Sequence, residues 1–148
     1  MSKQSKEKNQ TIYKEFSTYS NIFQNRPGLY RIIETLFFIV VLFLVTAYVP
    51  SENSWSKLLI FSTAIIFIAG APYVYQKLLS PKYFLTKNEL IIQLGGKERK
   101  YSLLNVERAS DWKPLYRLDG KKVSLMVSRN FSDRLDEQLA NVRKVKKR

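Results

Sequence analysis

Two long apolar runs constrain this chain more than any other feature. They are residues 32–49 (IIETLFFIVVLFLVTAYV) and 58–74 (LLIFSTAIIFIAGAPYV), joined by residues 50–57 (PSENSWSK). A membrane-crossing helix needs about 20 mainly apolar residues, and about 17 is the lower limit. Both runs reach it. Hydrocarbon offers no partner to a backbone N–H or C=O, so a segment placed there must be helical or part of a closed barrel. The short connection makes the two helices antiparallel neighbours. The expectation is an α-helical transmembrane hairpin over residues 32–75, with spans at 32–49 and 58–74. The alternative is a buried hairpin in a soluble core. A chain of 148 residues, much of it basic, has too little left to wrap two such helices. The first run also lacks a small-x-small cleavage pattern before Pro50, so it reads as a retained span rather than a signal peptide.

Charge sets the expected orientation. The chain carries 25 Lys and Arg against 12 Asp and Glu, a formal +13. Residues 1–31 hold six Lys or Arg and two Glu, and residues 76–148 hold 18 Lys or Arg and eight acids. The connection holds only Lys57 and Glu52. Lys and Arg accumulate on the cytoplasmic side of membrane proteins. The expectation is a two-span cell-membrane protein with both termini cytoplasmic. Apposition to an anionic inner leaflet explains the basic surplus, and no nucleic-acid partner is expected.

The chain has no Cys and no His. Disulfides, thiol nucleophiles and the commonest zinc ligands are therefore absent, as is the usual general base near neutral pH. There is no P-loop or dinucleotide fingerprint. Glu107, Asp111 and Asp119 are the carboxylates closest to a catalytic set, and nothing in their spacing fixes them together. A non-enzymatic protein with no catalytic, metal or cofactor-binding residues is expected.

Residues 1–31 read as a cytoplasmic polar or amphipathic N-terminal segment. Within it, Ile12, Phe16, Tyr19, Ile22 and Phe23 fall near helical spacing, which fits an amphipathic surface helix or an extended tether. Arg26-Pro27-Gly28 breaks any helix, and Tyr30 and Arg31 suit an interfacial anchor. Glu34 lies only three residues into the first run, where it reaches water or pairs with Arg31. Trp55 suits the opposite aromatic belt. Thr63 and Gly70 are seven apart on one helix face and are the candidate helix-packing residues. Pro72 is placed to kink or end the second span.

Beyond the hairpin the period changes. Residues 83–86, 89–94, 97–103, 106–112, 115–118 and 121–128 read as short strands, with Lys87-Asn88, Gly95-Gly96 and Asp119-Gly120 as turns. A terminal helix follows, with Asn130 as expected cap, Asp133 in its first turn, and Phe131, Leu135, Leu139 and Val142 as one apolar stripe. The fold class is α+β: a transmembrane hairpin, then a small antiparallel β domain over 82–145 closed by a C-terminal helix.

Residues 83–106 (YFLTKNELIIQLGGKERKYSLLNV) carry a resemblance. The positions are Tyr83, Leu85, Thr86, Leu90, Ile92, Gly95, Gly96, Leu103 and Val106, and residues 127–142 supply a closing strand and helix. The pattern resembles bacterial membrane proteins in which a two-helix hairpin precedes a pleckstrin-homology-like domain. Size and order, with Gln24 to Tyr30 as entry region, are similar to the EbsA-type proteins of Gram-positive bacteria, which are described as pore-forming. The resemblance implies a cytoplasmic module for protein or lipid interaction at the cell envelope, with an oligomeric pore as the alternative. The expected partners are the bilayer, anionic lipid headgroups or another membrane protein, with a homo-oligomer required only for a pore. Lys97, Arg99, Lys100, Lys121 and Lys122 are the candidate headgroup contacts, although edge-strand lysines also serve simply to deter aggregation.

Overall fold

A computed structural model describes residues 11–49 and 54–146. The chain is α+β, with two long apolar helices, two antiparallel sheets and a C-terminal helix. The elements in order are β1 (Tyr13–Phe16), α1 (Tyr19–Asn25), α2 (Gly28–Tyr48), α3 (Ser54–Leu79), β2 (Lys82–Leu85), β3 (Glu89–Leu94) and β4 (Lys97–Ser102). A 3-10 turn (Leu103–Asn105) leads to β5 (Val106–Arg108), β6 (Leu115–Leu118), β7 (Lys121–Ser124) and α4 (Arg129–Lys146).

Both apolar runs are helical and longer than the runs themselves. α2 starts at Gly28 directly after Pro27, whose extended backbone (ψ 145°) sets the entry. The loop is shorter than expected on its far side, because Ser54 to Lys57 are already in α3. Pro72 neither ends nor breaks α3, which continues to Leu79. At 1.5 Å per residue the two helices measure about 32 and 39 Å, enough for a hydrocarbon core of about 30 Å.

The first sheet has the order β1-β2-β3-β4 and the second β5-β6-β7, all neighbours antiparallel. Alternation gives β2 and β3 their inner faces: Tyr83, Leu85, Leu90 and Ile92 are buried, and their neighbours along each strand are not. Gly95 (φ 55°) and Gly96 (φ 79°) form the β3–β4 turn, and Asp119 (φ 46°) and Gly120 (φ 84°) form the β6–β7 turn. Positive φ at both central residues matches the twist of a tight hairpin. β5 stops at Arg108, well short of the expected end at Trp112; the Ala109 N–H bond to the Leu115 carbonyl (2.8 Å) closes its ladder with β6, and residues 110–114 form the loop between the two strands.

α4 covers the sheets with Phe131, Leu135 and Leu139, all buried, and with half-buried Val142. Its cap is Ser128 rather than Asn130. The Ser128 hydroxyl accepts the Phe131 N–H (3.2 Å), which satisfies one of the helix's free donors. The helix therefore begins earlier than expected, and Asp133 falls outside its first turn.

The largest departure from the sequence reading is at residues 11–25. This segment is neither one continuous helix nor a loose tether: a strand precedes a short helix, α1, that buries Ile22 and exposes Tyr19 and Phe23. β1 pairs along its whole length with β2, Tyr13 opposite Leu85 and Phe16 opposite Lys82. α1 places Ile22 at 0% exposure in the core. The reason is backbone satisfaction. Residues 125–127 form no strand yet are buried, so their polar groups need partners. The N-terminal segment supplies them: the Ser17 hydroxyl donates to the Met126 carbonyl, and the Asn25 amide donates to the Val127 carbonyl (3.0 Å). The hairpin is thus an insertion between two hydrogen-bonded neighbours of one sheet.

Candidate membrane-proximal interface

Insertion between β1 and β2 gives the sheet a hairpin end and a far end. α3 ends at Leu79, and β2 starts three residues later at Lys82. Ser80 closes the helix at φ 37°, with its N–H on the Gln76 carbonyl (3.1 Å). The β3–β4 turn meets the same point: Gly95 N–H donates to the Leu79 carbonyl (2.6 Å), filling an acceptor that a helix C-terminus otherwise leaves open. Antiparallel register then places Phe16, Lys82, Leu94 and Lys97 at the hairpin end. Lys77 is in the last turn of α3.

This end combines aromatic and cationic side chains. Phe16 is exposed, and the ammonium groups of Lys14 and Lys82 stand 4.8 and 5.6 Å from its ring centroid. Lys77 lies 5.8 Å from the Tyr73 ring. On α1, Tyr19 and Phe23 are exposed and stacked at 6.3 Å, and the Arg26 guanidinium is 5.5 Å from the Phe23 ring. Cation–π contacts of this kind hold amphipathic chains at a water–apolar boundary. The Tyr19 hydroxyl donates to the Ala69 carbonyl (2.9 Å), three residues before Pro72. That bond ties α1 to α3 well inside the apolar run.

The five candidate headgroup residues are all exposed, but they do not form one patch. Arg99 stands opposite Ile92 and Lys97 opposite Leu94, on the face that carries the buried residues of β3. Lys100 stands opposite Ile91 on the other face, 3.4 Å from Glu98. Only Lys97 adjoins the hairpin end. Lys121 pairs with Leu118 and Lys122 with Arg117, so these two also point to opposite faces of the second sheet. Sequence adjacency suggested a cluster, whereas strand alternation divides it. The signal missed in the sequence is Phe16 with Lys14 and Lys82, which only the β1–β2 pairing brings together.

At the start of α2, Glu34 pairs with Arg26 (2.9 Å) rather than with Arg31. Both side chains are mostly buried, at 12% and 17% exposure for Arg26 and Glu34. Arg31 instead donates to the Gln24 carbonyl (3.1 Å). Arg26 reaches Glu34 because Pro27 turns the chain between α1 and α2. The Tyr75 ring stands beside the same carboxylate and 5.0 Å from the Tyr30 ring. Within the hairpin, Phe67 packs on Phe37 and Phe38 at 5.5 and 5.6 Å. Thr63 and Gly70 are both half-buried. The Thr63 hydroxyl is bonded to the Leu59 carbonyl of its own helix (2.8 Å), and Gly70 lines a cleft with Ile33 and Phe37 of α2, where an added Cβ would meet nothing within 4 Å.

The carboxylates considered for catalysis are separate. Glu107 pairs with Arg117 (3.6 Å), Asp111 with Arg108 (3.8 Å), and Asp119 lies in the β6–β7 turn. Among the described residues, no three of His, Cys, Asp and Glu gather into a set able to hold a metal ion. Two buried tyrosines titrate high. Burial pushes the Tyr83 phenol up to about 12, with the Met126 N–H on its oxygen (3.1 Å) opposing the rise. Burial also raises Tyr116, whose hydroxyl donates to Asp136 (3.1 Å) beside the Arg108–Asp136 ion pair.

α2 and α3 are the two described helices long and apolar enough to cross a membrane, and almost none of the residues in their apolar windows is fully buried within the chain. No family model matches the chain, and no curated protein or solved structure gives a significant match.

Proposed function

We propose that this chain is a non-enzymatic integral membrane protein that holds a PH-like module against the inner leaflet of the cell membrane, for interaction with lipid or protein. One observation carries the reading: a predominantly apolar, outward-exposed pair of helices is inserted between two paired strands of the module. Phe43 and Phe61 are 71% and 69% exposed, and the surfaces around them are equally apolar. A soluble monomer does not leave patches of that size in water. Because β1 and β2 pair side by side, both helices leave the module from one end. The module and both ends of the hairpin therefore lie on one side of the bilayer, and the basic surplus assigns that side to the cytoplasm. Seven short antiparallel strands followed by a closing helix support the PH-like reading.

The pore reading is less favoured. The Thr46 and Thr63 hydroxyls bond to carbonyls of their own helices, so they add little polar lining to a path through an oligomer.

The test uses the absence of native Cys. Ser54→Cys and Asn141→Cys are both exposed positions. With an impermeant thiol reagent on intact cells, Ser54→Cys should label, and Asn141→Cys should label only after permeabilisation. Labelling of Asn141→Cys on intact cells overturns the inner-leaflet placement. Recovery of the protein in the soluble fraction overturns the membrane reading.

A further inference from the structure

Trp112 is 96% exposed, on the loop between β5 and β6. An exposed indole is suited to a wet apolar boundary, because its large ring gains by leaving water and its N–H can keep a polar partner. The surroundings point to one such boundary. Trp112 and Lys113 line a cleft of about 400 Å³ together with Asn21, Gln24 and Asn25 of α1. α1 is fastened to the hairpin: only Arg26 and Pro27 separate it from α2, and the Tyr19 hydroxyl bonds the Ala69 carbonyl of α3. Phe23 of the same helix is exposed beside Tyr19, outside the cleft. The second sheet is held to α1 at the same place, since the Ser124 hydroxyl donates to the Asn25 carbonyl (2.7 Å).

We propose that Trp112 is a further membrane contact, inserted with Lys113 into the headgroup region of the same bilayer that α2 and α3 cross. Tyr19, Phe23 and Trp112 then lie at one boundary, supplied by α1 and by a loop of the second sheet, and Lys113 and Arg129, which share the cleft with Asp111 and Asp133, meet lipid phosphates. The inner-leaflet contact becomes two-point: the first sheet is fixed through β1 and β2, and the second through its own loop. The module is held in one orientation rather than swinging on the hairpin. This inference rests on reading α2 and α3 as spans.

The chain has two tryptophans, which makes the test direct. Trp55→Phe leaves Trp112 as the sole indole, and Trp112→Phe leaves Trp55, at the other end of the hairpin. Each full-length variant is reconstituted into phosphatidylcholine–phosphatidylglycerol vesicles containing lipid brominated near the glycerol end of the acyl chain. Trp112 should be quenched, as an indole at the interface is, and less when the bromines are near the chain ends. Trp55 should be quenched similarly. Quenching of Trp55 with Trp112 unaffected overturns the inference, leaves the spans standing and points to a protein partner for Trp112. No quenching of either indole overturns both this inference and the membrane reading.

Discussion

Glu15 and Ser128, 113 residues apart, are joined by two hydrogen bonds of 2.6 Å, from the Ser128 N–H and from its hydroxyl to the two carboxylate oxygens. The same hydroxyl accepts the Phe131 N–H, and Asn21 donates to the carboxylate as well (3.0 Å). One carboxylate thus couples β1, α1 and the cap of α4. The element before the hairpin and the helix that ends the module are therefore parts of one folding unit.

Glu15→Ala should destabilise the module by about 2–3 kcal/mol, because it leaves two part-buried donors of Ser128 without their charged acceptor. Ser128→Ala should cost about 1–2 kcal/mol through the lost cap. The double variant should cost less than the sum, since the two residues share a network. Thermal unfolding in detergent measures all three. Strict additivity would show the coupling to be absent.

The Arg26–Glu34 pair should behave as a buried pair. Glu34→Ala should cost about 3 kcal/mol, because the guanidinium stays buried with no counter-charge. Joint replacement by Arg26→Met and Glu34→Met should recover most of that loss, because apolar packing removes the desolvation cost. Arg31→Ala should cost far less than Arg26→Ala. Equal losses for the two arginines would contradict the assignment of Arg26 as partner.

Tyr83 predicts a loss of stability at high pH. Its folded value of about 12 lies above the ordinary tyrosine value of 10.0, so the folded state retains a proton that the unfolded chain releases. The associated stabilisation is complete below pH 10 and falls as pH rises from about 10 to about 12, amounting to about 3 kcal/mol over that window. Denaturant titrations at pH 8, 10 and 11 should show the decline. Tyr83→Phe should reduce it, leaving the share that raised Tyr116 contributes, while costing about 1 kcal/mol at pH 8 through the lost bond from Met126 N–H.

The β3–β4 turn should not tolerate a Cβ at its second glycine. Gly96→Ala should cost about 1–2 kcal/mol, although the space around it is open, because φ 79° is strained for an L-residue. Asp119→Gly, at φ 46° in the equivalent turn, should be neutral or stabilising. Chemical denaturation of both variants gives the comparison. A neutral Gly96→Ala would mean that the turn relaxes to another geometry.

The sequence alone determined what depends on local pattern. Apolar runs of membrane length specify α2 and α3, since the hydrogen bonds that make a helix are formed within the segment itself. Alternation and glycine turns placed β3 and β6 at their observed limits, and the spacing of Phe131, Leu135 and Leu139 gave the buried face of α4. Tertiary structure decided what depends on partners distant in sequence. The spacing of Ile12 through Phe23 looked helical, yet Tyr13–Phe16 is a strand because β2 offers it an edge, with Phe84 opposite Lys14 and the whole hairpin between them. The same is true of the cap. Asn130 and Ser128 are both good capping residues, and Glu15 selects Ser128 by bonding its N–H and hydroxyl. Lysines adjacent in sequence were separated by the pleat, and Phe16 was joined to Lys82 by register. Periodicity records which side of an element is apolar, whereas pairing between strands is a property of two segments and is written in neither of them alone.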